Sequence, residues 1–228
     1  MSLQVSPQSD LDLWLGVHLE ETDSDSSEGG AAAEMHACSV RVDAVVSSRL
    51  QVIPVARRDC LKRVRKIADG WSVIALQEGR ITQNEREKEA LLGSHEVNAG
   101  IAFALRQMLK LTRSGERDGK YDVYACVEES ESGDQKKRVQ GVMLIEKNFP
   151  YVFIAHLAAN PYNLCANSMG VPRVRGAGTS LIEHAKDLAR VREEGHRFVQ
   201  LEVVTKGAKG FYDRCGFTFQ GGTAMLAV

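Results

Sequence analysis

The run Arg173-Val-Arg-Gly-Ala-Gly178 leads directly into Thr179-Ser-Leu-Ile-Glu-His-Ala-Lys-Asp-Leu-Ala189, a helical stretch opened by two glycines. The first amides of a helix have no partner within it and carry partial positive charge, so such a start suits a phosphate or pyrophosphate. Arg173 and Arg175 add cationic side chains beside it. Downstream stand two ionisable residues, Glu202 within Leu201-Glu-Val203 and Tyr212 within Ala208-Lys-Gly-Phe-Tyr-Asp-Arg-Cys-Gly-Phe217. A carboxylate can accept a proton, whereas a phenol with an ordinary pKa of about 10 stays protonated at neutral pH and can donate one. His156, with an ordinary pKa near about 6.5, is a rival base, although a single His on a strand equally suits a packing role. Cys215 lies close to Tyr212, but a Cys just before a helix-ending Gly reads as a small buried hydrophobe rather than a nucleophile.

These groups need elements to hold them. Tyr121–Val127, Arg138–Ile145 and Tyr151–Leu157 read as successive strands, and the links between them are too short for a crossover helix, so they must run antiparallel. The glycine-opened helix is expected from about Ala177 to Glu194, stopping at Gly195. Arg197–Val204 then reads as a strand, Lys206–Arg214 as a short helix, and Phe217–Val228 as a hairpin turning at Gly221-Gly222. Further upstream, Ser39–Val46 and Leu50–Val55 are strand candidates, with Pro54 marking the second as an edge or a strand end. Arg57–Ala68 carries Leu61, Val64, Ile67 and Ala68 on one helical face, and Gln83–Leu92 and His95–Arg113 read as two more helices.

At 228 residues, with 43% hydrophobic and 26% charged residues, the chain has material for one domain with a real core plus an appendage. Residues 1–38 read as that appendage, a disordered acidic arm, and residues 39–228 as a single domain. Positions 1 to 40 hold eight Asp or Glu and no Lys or Arg. The rest of the chain therefore carries all 29 basic side chains against 22 acidic ones, since eight of the 30 lie in the arm, and its net of +7 favours an anionic ligand. Within the arm, Leu11, Leu13, Leu15, Val17 and Leu19 alternate with polar or small residues and Trp14, either as an edge strand of the domain or as a docking segment for a partner. Six basic residues between positions 57 and 66 form a solvated helix face. Without interleaved aromatics to stack on bases, that face argues against nucleic acid. Five cysteines with no CxxC pair fit neither a disulfide framework nor a metal site. No membrane span or basic signal segment is expected, which points to the cytoplasm or nucleus.

Three loop chemistries compete for residues 173–178. A nucleoside triphosphate loop would place Lys before Ser or Thr after the last glycine, and here Thr179-Ser180 follows with no Lys. A dinucleotide fingerprint needs Gly or Ala in the place of Leu181 and further βα units, although Glu202 about twenty residues on mimics its acidic partner. The remaining reading is a resemblance. Arg-x-x-Gly-x-Gly at 173–178, Leu-Glu-Val at 201–203, and Ala208, Tyr212, Gly216 and Phe217 in the order Ala-x-x-x-Tyr-x-x-x-Gly-Phe resemble the GNAT superfamily of N-acetyltransferases. The specific part covers residues 151–217. The chain departs from that pattern in a longer lead-in, Asn160–Pro172, and in Thr205 where an Asn is common.

The resemblance implies an α+β fold with a mixed, mostly antiparallel central sheet, flanking helices and a V-shaped cleft for acyl-CoA. It implies that Arg173, Val174, Arg175, Gly176, Ala177, Gly178 and Thr179 hold the pyrophosphate, and that His156, Leu157 and Ala158 bind the pantetheine through their backbone. Tyr212 would protonate the leaving thiolate and Glu202 would take the amine proton, directly or through water. Acetyl-CoA is then the co-substrate, with no metal, and an amine is the acceptor, a protein lysine or N-terminus ahead of a small amine. The alternative is a non-catalytic acyl-CoA-binding regulator.

Overall fold

The computed structural model describes residues 49–113, 119–129, 138–164, 174–202 and 208–228. In chain order the elements are β1 (Arg49–Pro54), α1 (Arg58–Ile81), α2 (Glu85–Arg113), β2 (Tyr121–Glu129), β3 (Arg138–Glu146), β4 (Val152–Ala159), a 3-10 turn (Pro161–Asn163), α3 (Ala177–Arg190), β5 (Phe198–Glu202), α4 (Lys209–Arg214), β6 (Thr218–Gln220) and β7 (Thr223–Ala227). The acidic arm, its 11–19 segment, the strand candidate at 39–46, Arg173, Val203, Thr205 and residues 165–172 of the long lead-in lie outside the described residues.

Strands of alternating apolar residues build one mixed sheet in the order β1-β2-β3-β4-β5-β7-β6, an α+β architecture with helices on both faces. Among the described residues every pairing is antiparallel except β4 with β5. Strand β3 lies near the centre, and its side chains divide by the two-residue period of a strand. Val142 and Leu144 enter a core with α1 and α2, while Met143 and Ile145 enter a second core with α3, Tyr212 and Phe217. Among the described residues β1 is an edge strand, and Pro54 is its last residue, in keeping with the edge or strand end read from that proline.

A single extra residue in β4 decides the shape of the sheet. The register with β3 passes from Ile145↔Ile154 to Leu144↔His156, so Ala155 is unmatched and forms a bulge. Up to that point β4 is also paired with β5, through Val152↔Val199, Phe153↔Gln200 and Ile154↔Leu201. Beyond it β4 stays on β3, while Glu202, the last described residue of β5, pairs with Thr223 of β7 and not with β4, so among the described residues the sheet forks there.

The helices differ from the sequence expectation in extent. Helix α1 runs well beyond Ala68, to Ile81, because Trp71, Ser72, Ala75 and Gly79 continue its buried stripe. Gly79 is tolerated there because α2 presses close: a Cβ would lie 3.3 Å from Leu91 Cβ. The two helices expected over 83–113 are one, since packing on α1 and the sheet carries α2 through Gly93. Its start is well marked, with the Asn84 side chain accepting from the Arg86 amide at 3.1 Å and from the Glu87 amide at 3.2 Å. Part of the basic face of α1 is matched by acids of the same helix: Lys62 pairs with Asp59 and Arg65 with Asp69, which Arg106 of α2 also approaches.

Helix α3 buries Ala177, Leu181, Ile182, Ala185 and Ala189, then ends at Arg190 rather than Glu194. Past Ala189 nothing apolar reaches the sheet: Val191 is 82% exposed, and Gly195 lies in the following turn with φ 89°. Helix α4 begins at Lys209, and the closing hairpin turns at Gly221-Gly222, both with positive φ as a two-residue primed turn requires. At the start of α3, Gly176 caps the helix at φ 98°, a conformation that costs any residue with a Cβ. Gly176→Ala is therefore expected to lower stability by about 1–2 kcal/mol, read from the midpoint of urea unfolding at constant slope.

Candidate active site at the sheet fork

The parted strands leave a cavity of about 410 Å³. Strand β4 supplies Ile154 through Ala159 as one wall, and β5 supplies Leu201 and Glu202 as the other. Helix α2 covers it with the small residues Ala90, Gly93, Ser94 and Val97. Gly178 of α3, Ala208, and Phe211, Tyr212 and Arg214 of α4 close the far side. Six residues singled out from sequence thus meet in one space: His156, Leu157, Ala158, Gly178, Glu202 and Tyr212.

The bulge at Ala155 decides how β4 presents its side chains. Val152 and Ile154 belong to the α3-side core, and strict alternation would send residue 156 there as well. Instead His156 turns towards α2, where a Cβ on Gly100 would stand 2.9 Å from its Cε1. Leu157 packs with the α3-side core and Ala158 with the α1–α2 core. Burial, aided by the positive charge of Lys120, holds the His156 pKa below its ordinary 6.5, so the ring is neutral at pH 7.

Tyr212 is 7% exposed and edge-on to both Phe211 and Phe217, with ring centroids 5.0 and 5.6 Å away. Burial, with a smaller contribution from Cys215, pushes its phenol up to about 12, so the O–H persists across the neutral range. Burial likewise raises the Cys215 thiol, which disfavours the thiolate that a covalent step would need. Glu202 ends β5 as an exposed carboxylate on the cavity wall, opposite Thr223 of β7.

Helix α3 meets this space through Gly178 of its first turn. Its first internal bond is Ser180 N to Gly176 O at 2.8 Å, which leaves the amides of Ala177, Gly178 and Thr179 ahead of the helical ladder. No acidic residue stands in that first turn. Gly178 lines the cavity because α4 lies against it, a Cβ there falling 3.1 Å from Phe211 Cζ. Val174, Arg175, Gly176, Ala177 and Thr179 do not line the cavity: Arg175 is exposed, and Val174 and Ala177 are buried.

The residues alone did not single out the α2 wall, Phe211, Arg214 or Gly100. Two glycines inside a helix, Gly93 and Gly100, were the available signal, since each weakens a helix by about 1 kcal/mol relative to Ala and so marks a close approach.

The class defined by fold and site is an α+β protein whose forked mixed sheet opens a cavity between a helix start and a buried tyrosine. No family model and no curated protein matches the sequence. Among solved structures the chain is similar to the PaiA N-acetyltransferase of Thermoplasma acidophilum, determined by crystallography in complex with coenzyme A. The similarity is 12% identity and a TM-score of 0.42, covering 78% of this chain and 96% of that one.

The lowered pKa of His156 links stability to pH. Below about pH 6.5 the unfolded chain binds the proton that the folded ring resists, so stability is full above that value and declines as pH falls towards the lowered folded pKa. The urea midpoint should drop between about pH 7.5 and about pH 5.5, and His156→Gln should make that drop shallower. A decline equally steep in the variant would assign the effect elsewhere, such as to His184, whose pKa burial also lowers.

Proposed function

We propose that the chain is an acyl-CoA-dependent N-acetyltransferase of GNAT type, moving an acetyl group from acetyl-CoA directly to an amine. The observation that carries this reading is the cavity itself, which joins the open edge of β4, the first turn of α3 and the protonated phenol of Tyr212. A thioester cofactor with a diphosphate needs all three. Beyond Ile154 the strand edge facing β5 is without a strand partner among the described residues, so pantetheine amides can pair there as an added strand would. The amides of Gly176, Ala177, Gly178 and Thr179 then serve the pyrophosphate, with Arg173 and Arg175 proposed as the positive charge beside it.

In the proposed reaction the amine nitrogen attacks the thioester carbonyl carbon, and the tetrahedral intermediate expels the thiolate as the C–S bond breaks. Tyr212 gives its proton to that sulfur. A phenol at about 12 is a weaker acid than a thiol at about 8.5, so the phenolate left behind takes a proton back through water, and the net passage of the proton is from the amine to the sulfur. The amine's proton passes to Glu202, directly or through water, or to the neutral ring of His156. Glu202 sits where solvent reaches it, which favours relay through water. The two-residue turn of the β6–β7 hairpin builds little over the cleft, which favours a protein lysine or N-terminus over a small amine as acceptor.

Incubating the protein with acetyl-CoA and panels of peptides and amines should release free thiol and yield acetylated product by mass spectrometry. Neither binding nor thiol release would overturn the proposal. Tyr212→Phe keeps the ring against Phe211 and Phe217, so kcat should fall about 100-fold or more while acetyl-CoA affinity is retained.

A further inference from the structure

Strand β3 has a bulge of its own. Its register with β2 passes from Cys126↔Gly141 to Val127↔Val139, leaving Gln140 as the extra residue, only 4% exposed. A buried carboxamide must find partners, and this one finds them on both sides. Gln140 Nε2 donates to Glu128 Oε2 at 2.7 Å. Its Oε1 accepts from Asn160 Nδ2 at 3.3 Å and from Asn163 Nδ2 at 3.1 Å. The main-chain oxygen of Gln140 accepts from Asn160 N at 2.9 Å, and Asn160 Oδ1 accepts from Tyr162 N, capping the 3-10 turn.

Asn163 carries the connection onward. Its Oδ1 accepts from the amide of Val174 at 2.9 Å, eleven positions later in the chain. A line of hydrogen bonds therefore runs from β2 through the bulge of β3 to the segment that enters α3. Residues 174–176 have no regular structure of their own, and Gly176 has the freest backbone of any residue type. The first turn of α3 is docked by its own buried Ala177 and Leu181, and the segment just before it is held by the buried Val174 side chain and this amide bond. The carboxamide at position 163 donates to Gln140 from one atom and accepts from Val174 at the other, which an ionised carboxylate, having no donor, and an alkyl group, having neither, cannot do.

We propose that Asn163 is a positioning residue that ties Val174, and through it the first turn of α3, to the centre of the sheet, so that the amides of residues 177–179 stand preorganised for an anionic group. The inference rests on the reading of that turn as the pyrophosphate site of coenzyme A. Preorganised donors bind without first paying the entropy of their own ordering, so loosening the tie weakens binding without touching the chemistry. Gln140 and Glu128 act behind Asn163 in the same line.

The test uses the full-length chain and two variants, Asn163→Ala and Asn163→Asp, with NMR-detected amide exchange and calorimetric titration of coenzyme A. In Asn163→Ala the amides of Val174 and Ser180 should exchange about three- to tenfold faster, the range expected for one net hydrogen bond, with β2 and β3 amides unchanged. In Asn163→Asp, which keeps the acceptor, Val174 should recover much of its protection. Coenzyme A should bind more weakly to Asn163→Ala by a similar factor, and acetyl-CoA KM should rise with kcat retained. Wild-type exchange at Val174 and Ser180 in Asn163→Ala overturns the proposal, as does faster exchange with unchanged affinity. If the wild-type chain fails to bind coenzyme A while the Ala variant still loosens both amides, the tie stands and the coenzyme A reading falls.

Discussion

Ala155 is one residue more than the β3–β4 pairing can match, and the arrangement of the site depends on how that excess is absorbed. A bulge bends a strand and inverts the facing of everything after it. Here the inversion coincides with the last β4–β5 pair among the described residues, Ile154↔Leu201, so the strand turns its side chains over where its described parallel pairing ends. The fork, the open edge and the rotation of His156 towards α2 share this origin. Among the described residues parallel pairing covers three register pairs, and beyond them the β4 edge stands open beside the cavity.

A forked sheet exposes apolar surface that must be covered, and the cover has to be thin where a ligand is to enter. Helix α2 meets the cavity with Ala90, Gly93, Ser94 and Val97, whereas further along it fills the core with Ile101, Leu105 and Met108. The same helix thus packs at one end and makes room at the other. Gly100 stands at the boundary, where the His156 ring occupies the volume a side chain would need. On the opposite face, Phe211 takes the space left by Gly178 and brings Tyr212 with it. The start of α3, whose backbone is the least self-determined part of the site, is steadied by the bulged Gln140 and by Asn163.

Much of this was legible in the residues. The strands at 121–129, 138–146 and 152–159 declare themselves by apolar density and short connections, and the hairpin by Gly221-Gly222. The glycine-opened α3 and the short α4 carrying Tyr212 were equally readable, because each follows from a local rule about caps, turns or period. The departures share a different cause. The breaks expected after Ala68 and near Gly93 do not occur, since packing between α1 and α2 outweighs the local cost of a glycine. The extension expected to Glu194 does not occur either, since helix propensity without an apolar face has nothing to dock.

The sequence by itself determined the inventory: an anion-suited helix start, a phenol and a carboxylate one strand and helix later, and an antiparallel meander ahead of them, all set by near-neighbour sterics and hydrogen bonding. Only the tertiary structure decided that these lie around one cavity, that Tyr212 is buried with its phenol pushed up to about 12, and that His156 faces α2 rather than the α3-side core. It also decided that Asn163 reaches Val174. The reason is physical. A bulge changes register by one residue without any sequence signature in an apolar run, and burial, which sets pKa values and enforces polar pairing, is a property of neighbours brought together from distant parts of the chain.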